Sequence, residues 1–421
     1  MKNKESGKPD VFAAIRIGEF RMFMGFRFFM TVAVMMQSVI VGWQIYDITH
    51  DPFQLGMIGL TEAIPQIAIA LFAGHLADRY DRKKIIILTS ILFLIGSVLL
   101  SVYSFPEIGL AAQFGVMPIY VVIFITGLVR GLMHPANTAL MAQLVPRELY
   151  PNSSSWNSGI WHTASVSGLA FGGLLCGFVG ISFAYIISTS IVLVSILFTV
   201  SIKKKPLTVK NIEASVFQNI STGVKFVFKN KLILSAMSLD MFAVLFGGAT
   251  SMLPVFASDI LKVGPEGYGI LRATPAVGAV IMSVIMAARP PMKNTGLKLF
   301  LSITAFGLCI IGFAFSTNFY LSLALLFASG VFDNVSVVIR HTIMQLYAPD
   351  EMRGRVASVN SIFIGSSNEI GAFESGLACS LLGLVPSVIF GGGMTVLVVI
   401  AIAAFSPSLR NLRFEREKHF T

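Results

Sequence analysis

GHLADRYDRKK, residues Gly74 to Lys84, decides how this chain is read: charged side chains at 78, 79 and 81–84 stand between an apolar run over 53–77 and another over 85–105. Each run is long enough for one α-helical bilayer crossing, which takes about 20 residues. The stretch is therefore a tight polar turn between two membrane helices. Four of its charges are basic, Arg79, Arg82, Lys83 and Lys84, and basic residues gather on the cytoplasmic loops of membrane proteins. Gly74 permits two helices to approach closely, and Asp78 is placed to cap the helix that follows.

The whole chain has the same character. Of its 421 residues 55% are hydrophobic and 12% charged, against about 25% charged in an ordinary globular domain, and the mean hydropathy is +0.79. A soluble fold could not bury so much apolar surface. Apolar runs between their punctuation predict spans near 20–48, 53–77, 85–105, 117–142, 155–179, 181–201, 232–257, 267–288, 299–316, 319–346, 356–382 and 386–406. The first run is too long for a signal-peptide core and is read as an uncleaved span. Cys176, Cys309 and Cys379 fall singly within apolar runs, without partners at metal spacing, and are read as packing residues.

The net charge of +10 would fit a nucleic-acid partner if it were clustered. Sorted against the twelve spans, of the 31 Lys and Arg only Lys262 falls on an outer loop and four lie inside spans: Arg27, Arg130, Arg272 and Arg340. All the others fall on the side that carries both termini. The basic excess thus encodes orientation, with both termini cytoplasmic, and nucleic acid is not expected as a partner. The one long hydrophilic segment, 203–231, separates six spans from six. Val216, Ile220, Val224, Val227 and Phe228 recur there at helical spacing among Lys225, Lys229 and Lys231, the pattern of an amphipathic helix at a membrane surface. Three regions follow: a six-helix bundle over 1–202, a cytoplasmic linker over 203–231 and a second bundle over 232–421.

The halves repeat. QLVPRELYPNSSSWNS at 143–158 and QLYAPDEMRGRVASVNS at 345–361 align with one inserted residue, each just after the fourth span of its half. Parallel six-plus-six repeats of this kind are related by an axis along the membrane normal.

On these residues the chain resembles the major facilitator superfamily. That family carries Gly-x-x-x-Asp-Arg-x-Gly-Arg-Arg/Lys in the loop after span 2, matched by Gly74, Asp78, Arg79, Arg82 and Lys83, with Asp81 where the family has Gly. PRELYPNSSSWNS and PDEMRGRVASVNS resemble loops of the subgroup that includes bacterial enterobactin-type siderophore exporters. The resemblance implies an all-α integral membrane protein of twelve transmembrane helices, in two six-helix bundles with pseudo-two-fold symmetry about a central cavity lined by spans 1, 4, 7 and 10. It implies gating by the 74–84 motif, whose Asp78 would pair with basic groups of the other half, and proton coupling through Arg130 in RGLMHPAN. Gly168, Gly172 and Gly173 resemble a Gly-Pro-x-x-Gly-Gly antiporter signature with Leu169 in place of Pro; by themselves they specify close helix packing.

Ionisable groups at membrane depth are costly and default to functional hypotheses. Arg27, Glu62, Arg130, Trp161, Asp240, Asp333, Asn334 and Arg340 are the candidates for the substrate and proton pathway. Arg27, Arg130, Asp240 and Asp333 could pair with one another, or could bind a charged solute and exchange a proton. Glu62, Asp240 and Asp333 are the candidate proton carriers, and Glu369, with Glu374, is assigned to gating or packing. No nucleophile triad, P-loop or metal cluster appears, so no enzyme activity, cofactor or metal is expected.

The chain is thus expected to be a proton-coupled exporter of a small amphiphilic molecule such as a siderophore, working as a monomer by alternating access in a bacterial cytoplasmic membrane. A broad-specificity drug efflux antiporter, a lysophospholipid flippase and a non-transporting receptor are the alternative readings.

Overall fold

A computed structural model describes residues 10–205, 216–288 and 294–412. Twelve long helices cross in antiparallel order. The first six are α1 (Gly18–Thr49), α2 (Pro52–Arg79), α3 (Arg82–Tyr103), α4 (Met117–Leu144), α5 (Tyr150–Val179) and α6 (Ile181–Val200). The second six are α7 (Lys231–Phe246), α8 (Gly264–Ala288), α9 (Thr295–Phe315), α10 (Phe319–Tyr347), α11 (Asp350–Leu382) and α12 (Leu384–Phe405). Both ends of the described chain lie at one end of the bundle, called here the terminal end; the opposite end is the far end.

Local chemistry sets the boundaries. Asp51 caps α2 by accepting from the Phe53 N–H at 2.9 Å, with Pro52 pre-set in the first turn. Asn230 and Asn318 do the same for α7 and α10. α3 is capped by Asp81, which accepts from the Lys83 N–H at 3.0 Å; the expected cap, Asp78, is not needed for this. The Asp at the family's Gly position therefore has a local structural use. Gly180, at φ 84°, ends α5 and starts α6, and Gly383, at φ 89°, stands between α11 and α12 in the same way. That left-handed backbone is cheap only for glycine, and it recurs at the same point of each half.

Eleven helices are long and apolar enough to cross a membrane by composition. The twelfth, α11, has 33 residues, ample length at about 1.5 Å per residue. It carries Glu369, Glu374 and several serines and packs against α2 and α7. Its polarity is tolerated because much of it meets protein.

Packing within one half mirrors the other. α1 packs on α5, α2 on α4 and α3 on α6; α7 packs on α11, α8 on α10 and α9 on α12. Between halves the main contacts are α2 with α11 and α5 with α8, a pair that the two-fold exchanges. At both crossings glycine meets glycine. A Cβ on Gly376 would fall 2.6 Å from Gly56 Cα, and one on Gly269 would fall 2.6 Å from Gly173 Cα.

The apolar core is one piece at the far end and two at the terminal end. Far-end residues of both halves, among them Tyr46, Leu55, Cys176, Met252, Phe256 and Tyr268, form a single buried cluster. Towards the terminal end the core divides into a first-half cluster around Phe20, Phe26, Ile86 and Leu140 and a second-half cluster around Ile233, Leu299, Ile339 and Val359. The far end is closed across the halves, with the Tyr46 hydroxyl donating to Asp259 at 2.6 Å and Trp43 stacked on Tyr268 at 6.0 Å.

Two local features differ from the expectation. Span 7 is interrupted: α7 ends at Phe246, and the chain continues through a 3₁₀ turn over Gly248–Met252, a short α turn at Leu253–Val255 and a π turn over Phe256–Ile260. Broken helices are tolerated at membrane depth where protein satisfies the freed backbone. The linker helix, Val216–Lys229, is present, but Val227 is fully buried in the second-half core and Gly223 lies against Arg355 and Val359 of α11. Its apolar face is thus shared with protein rather than given only to the bilayer surface, although Phe228 stays exposed.

Candidate functional site

Among the described residues the paired charges within the spans form two separate clusters. The first spans three helices and both halves. Arg130 on α4 forms an ion pair with Glu62 on α2, and the same Nη1 atom stands 3.6 Å from Glu369 Oε1 on α11. α2 is held between these partners by backbone contact on both sides. A Cβ on Gly59 would meet the Glu369 carbonyl oxygen at 2.3 Å, and one on Gly127 would meet that of Glu62 at 2.4 Å. The glycines bring the helix axes close enough for short carboxylates to reach one guanidinium. Glu369, expected in a gating role, is therefore a direct partner of Arg130.

The second cluster lies within the second half. Asp240 on α7 and Arg340 on α10 form an ion pair whose side chains are 6% and 5% exposed. Arg340 Nε also donates to Ser336 Oγ at 3.0 Å. Asp333, two turns earlier on α10, is half-buried and has no hydrogen bond or ion pair among the described residues. The neighbouring Asn334 is 6% exposed, and its side-chain oxygen has no hydrogen-bond partner among the described residues.

Among the described residues Arg27 does not join a carboxylate. Its Nε donates to Asn157 Oδ1 of α5 at 3.3 Å, so an amide orients it and leaves its positive charge unneutralised by that contact. One turn along α5 from Asn157, Trp161 is 43% exposed and meets His162 edge-on at 5.0 Å. Arg27 and Trp161 give the first half a cationic and an aromatic group, while Asp333 and Asn334 give the second half an acid and an amide. An apolar cleft of about 260 Å³ lined by Phe28, Phe29, Val32, Met36 and Phe171 holds none of these groups.

The 74–84 motif divides in the structure. The surroundings of Gly74 and the side chain of Asp78 lie outside the described residues. Arg79 is exposed and Arg82 buried. Lys83 Nζ donates to the carbonyls of Val200 and Ile202 at 2.9 and 2.5 Å. These are free acceptors at the end of α6, where a cation is favourable. Lys83 thus ties α3 to α6 inside its own half. Gly168 and Gly172 lie against the Val32 and Met36 carbonyls of α1, whereas Gly173 meets α8 across the halves.

Two features were not anticipated from the sequence. Arg272, counted only as an embedded charge, donates from Nη1 to the Thr250 carbonyl at 2.5 Å, satisfying an acceptor freed by the interruption of span 7. The Tyr46–Asp259 bond joins α1 to the far end of span 7. Gly247, Gly248 and Pro254 in one apolar run were the available signal for the interruption.

The enterobactin exporter EntS of Shigella flexneri is 24% identical over 379 residues, covering 89% of each chain. The staphyloferrin A transporter of Staphylococcus aureus is 20% identical over 397 residues, 90% of this chain and 94% of the relative. Among solved structures, a D-xylose-proton symporter superposes with a TM-score of 0.74 at 12% identity, covering 95% of this chain and all of that one. The Major Facilitator Superfamily model matches residues 23–372. Twelve helices, two halves meeting at α2–α11 and α5–α8, and charged groups where those halves meet agree with that match: the chain belongs to the Major Facilitator Superfamily of membrane transporters.

Proposed function

We propose that this transporter is a proton-coupled exporter of a small amphiphilic molecule of the siderophore class. In this reading 1–202 and 232–421 rock as units about the charged waist, and 203–231 links them. One observation carries the reading: the apolar core is continuous across the halves at the far end and divided at the terminal end. Such a bundle is closed to one side and separable on the other, one of the two states that alternating access requires. The gathering of Lys and Arg on the terminal side supports an orientation with both termini in the cytoplasm of a bacterial cell. The state described here is then the one that loads cargo from the cytoplasm.

Cargo class is supported by the groups placed in each half. Arg27, oriented by an amide, can attract an anionic group, and Trp161 offers a stacking face. Similarity to an enterobactin exporter and a staphyloferrin A transporter supports siderophores as first probes. Both halves and the charged waist are supplied by one chain, which supports a monomer as the working unit.

The test is flux in proteoliposomes with an imposed pH gradient, acidic in the lumen, using enterobactin and staphyloferrin A as probes and ethidium and a lysophospholipid as comparators. Gradient-dependent entry of a siderophore is expected from the wild type. Arg130→Ala should insert and purify normally but lose that flux. Entry of ethidium or lysophospholipid in place of the siderophores would overturn the cargo assignment, and full activity of Arg130→Ala would overturn the role of the waist.

A further inference from the structure

Within the first charged cluster, one Arg serves two carboxylates that do not have the same tie to it. Glu62 and Arg130 sit on α2 and α4 of one half, so their pair persists through any rigid movement of that half. Glu369 belongs to the other half, and its 3.6 Å approach to Arg130 exists only while α2 and α11 are together. Gly56 against Gly376 holds these helices nearer the far end, and Gly59 against the Glu369 carbonyl holds them at the level of the pair. Opening the far end must part those glycines, and it separates Glu369 from Arg130 with them.

Among the described residues no cation other than Arg130 forms an ion pair with Glu369. Arg272 of α8, in the same half, lies within electrostatic range of Glu369 and keeps its charge, but its Nη1 is directed to the Thr250 carbonyl. Asp240 of α7 is taken by Arg340, and α12 carries no ionisable side chain. Glu62 offers only like charge and leaves with Arg130. A carboxylate left in such surroundings without a paired counter-ion is disfavoured, and the remedy open to it is a proton.

Resting on the proton-coupled reading above, we infer that Glu369 is the coupling residue: it takes up a proton when the far end opens and returns it when Arg130 comes back. The proton passes from far-side water to a Glu369 oxygen. On closure Arg130 stabilises the carboxylate, and the proton leaves to the cavity, by then open at the terminal end. No bond other than O–H forms or breaks. The direction is that of an antiporter, with protons moving from the far side to the terminal side as cargo moves the other way.

The test needs no cargo. In a background with Cys176, Cys309 and Cys379 replaced by Ala, spin labels at Glu107→Cys and Tyr320→Cys report the far end, and labels at Arg147→Cys and Tyr347→Cys report the terminal end; all four sites are exposed. Distances are measured by double electron–electron resonance in lipid nanodiscs between about pH 8 and about pH 5.5. Acidification should lengthen the far-end distance in the wild type, with the ratio of the two states changing up to about tenfold per pH unit, the slope for one linked proton. Glu369→Gln should favour the far-end-open state at every pH, and Glu369→Asp should restore a pH response. A wild type without pH response, or a Glu369→Gln variant that responds as the wild type does, overturns the inference. A pH response without siderophore flux would sink the cargo assignment and leave Glu369 in its role; siderophore flux without a pH response would do the reverse.

Discussion

The Asp240–Arg340 pair gives the most quantitative prediction, because burial turns its disruption into a large number. Both side chains are at most 6% exposed, and each meets the other directly. Arg340→Met leaves Asp240 as an uncompensated buried charge, which costs about 3–5 kcal/mol; Asp240→Leu strands Arg340 at a similar cost, with the Ser336 bond offsetting about 1 kcal/mol of it. Replacing both removes the charges together, and such exchanges for apolar residues are neutral or stabilising by about 1–4 kcal/mol. The double-mutant cycle should therefore return a coupling above the roughly 0.5–3 kcal/mol usual for neighbours. Reversible unfolding in mixed micelles measures the stabilities, and siderophore flux in proteoliposomes measures function. We expect the double variant to recover both, because Asp240 and Arg340 belong to one half and do not part when the halves rock. A double variant as unstable as either single one would refute the energetic reasoning. A stable double variant without flux would show that the pair works in transport, as one reading of the sequence allowed.

Two other perturbations test the architecture. Gly269→Val adds a side chain whose first carbon alone would fall 2.6 Å from Gly173 Cα; the far-end spin-label distance should lengthen at every pH, and an unchanged distribution would contradict the closed state described. Arg272→Met leaves the Thr250 carbonyl without its donor at a cost of about 1–3 kcal/mol; faster hydrogen exchange confined to Gly248–Ile260 is expected, while a selective loss of cargo affinity would move Arg272 from support to substrate.

The fold was legible because its signals are local and repeated. Spans are apolar runs, and the two halves announce themselves in the 143–158 and 345–361 loops; the structure adds the left-handed glycines Gly180 and Gly383 at matching points of the halves. The candidate site was legible only as a list of charges. Which charges meet depends on packing between helices far apart in sequence. Arg130 finds Glu62 because Gly127 brings α4 onto α2, and it approaches Glu369 because Gly59 brings α11 there. The same blindness hid the roles of Lys83 and Arg272, both of which bind backbone carbonyls, groups that every residue carries and no sequence pattern marks. Span 7 shows the opposite failure: its apolar run continues past Phe246, and the interruption shows only in the small residues and Pro254 that hydropathy ignores.

Among the contacts that join the halves, three kinds of chemistry can be compared, and one of them suits a proton. The glycine crossings at Gly56–Gly376 and Gly173–Gly269 are backbone against backbone; parting them exchanges van der Waals contact for lipid or water and is indifferent to pH. The Tyr46–Asp259 bond also breaks when the far end opens, but it lies at that end, where entering water supplies new partners to the freed carboxylate. Glu369 lies deeper, against Arg130 and Glu62. Its ion pair is with the other half, and Arg272, the cation of its own half within electrostatic range, directs its Nη1 to the Thr250 carbonyl instead. The same movement that costs Asp259 little therefore costs Glu369 its counter-ion, and the proton dependence of opening should reside at the waist rather than at the rim. Tyr46→Phe separates the two: it should shift the balance of states equally at all pH values, whereas Glu369→Gln should abolish its pH dependence.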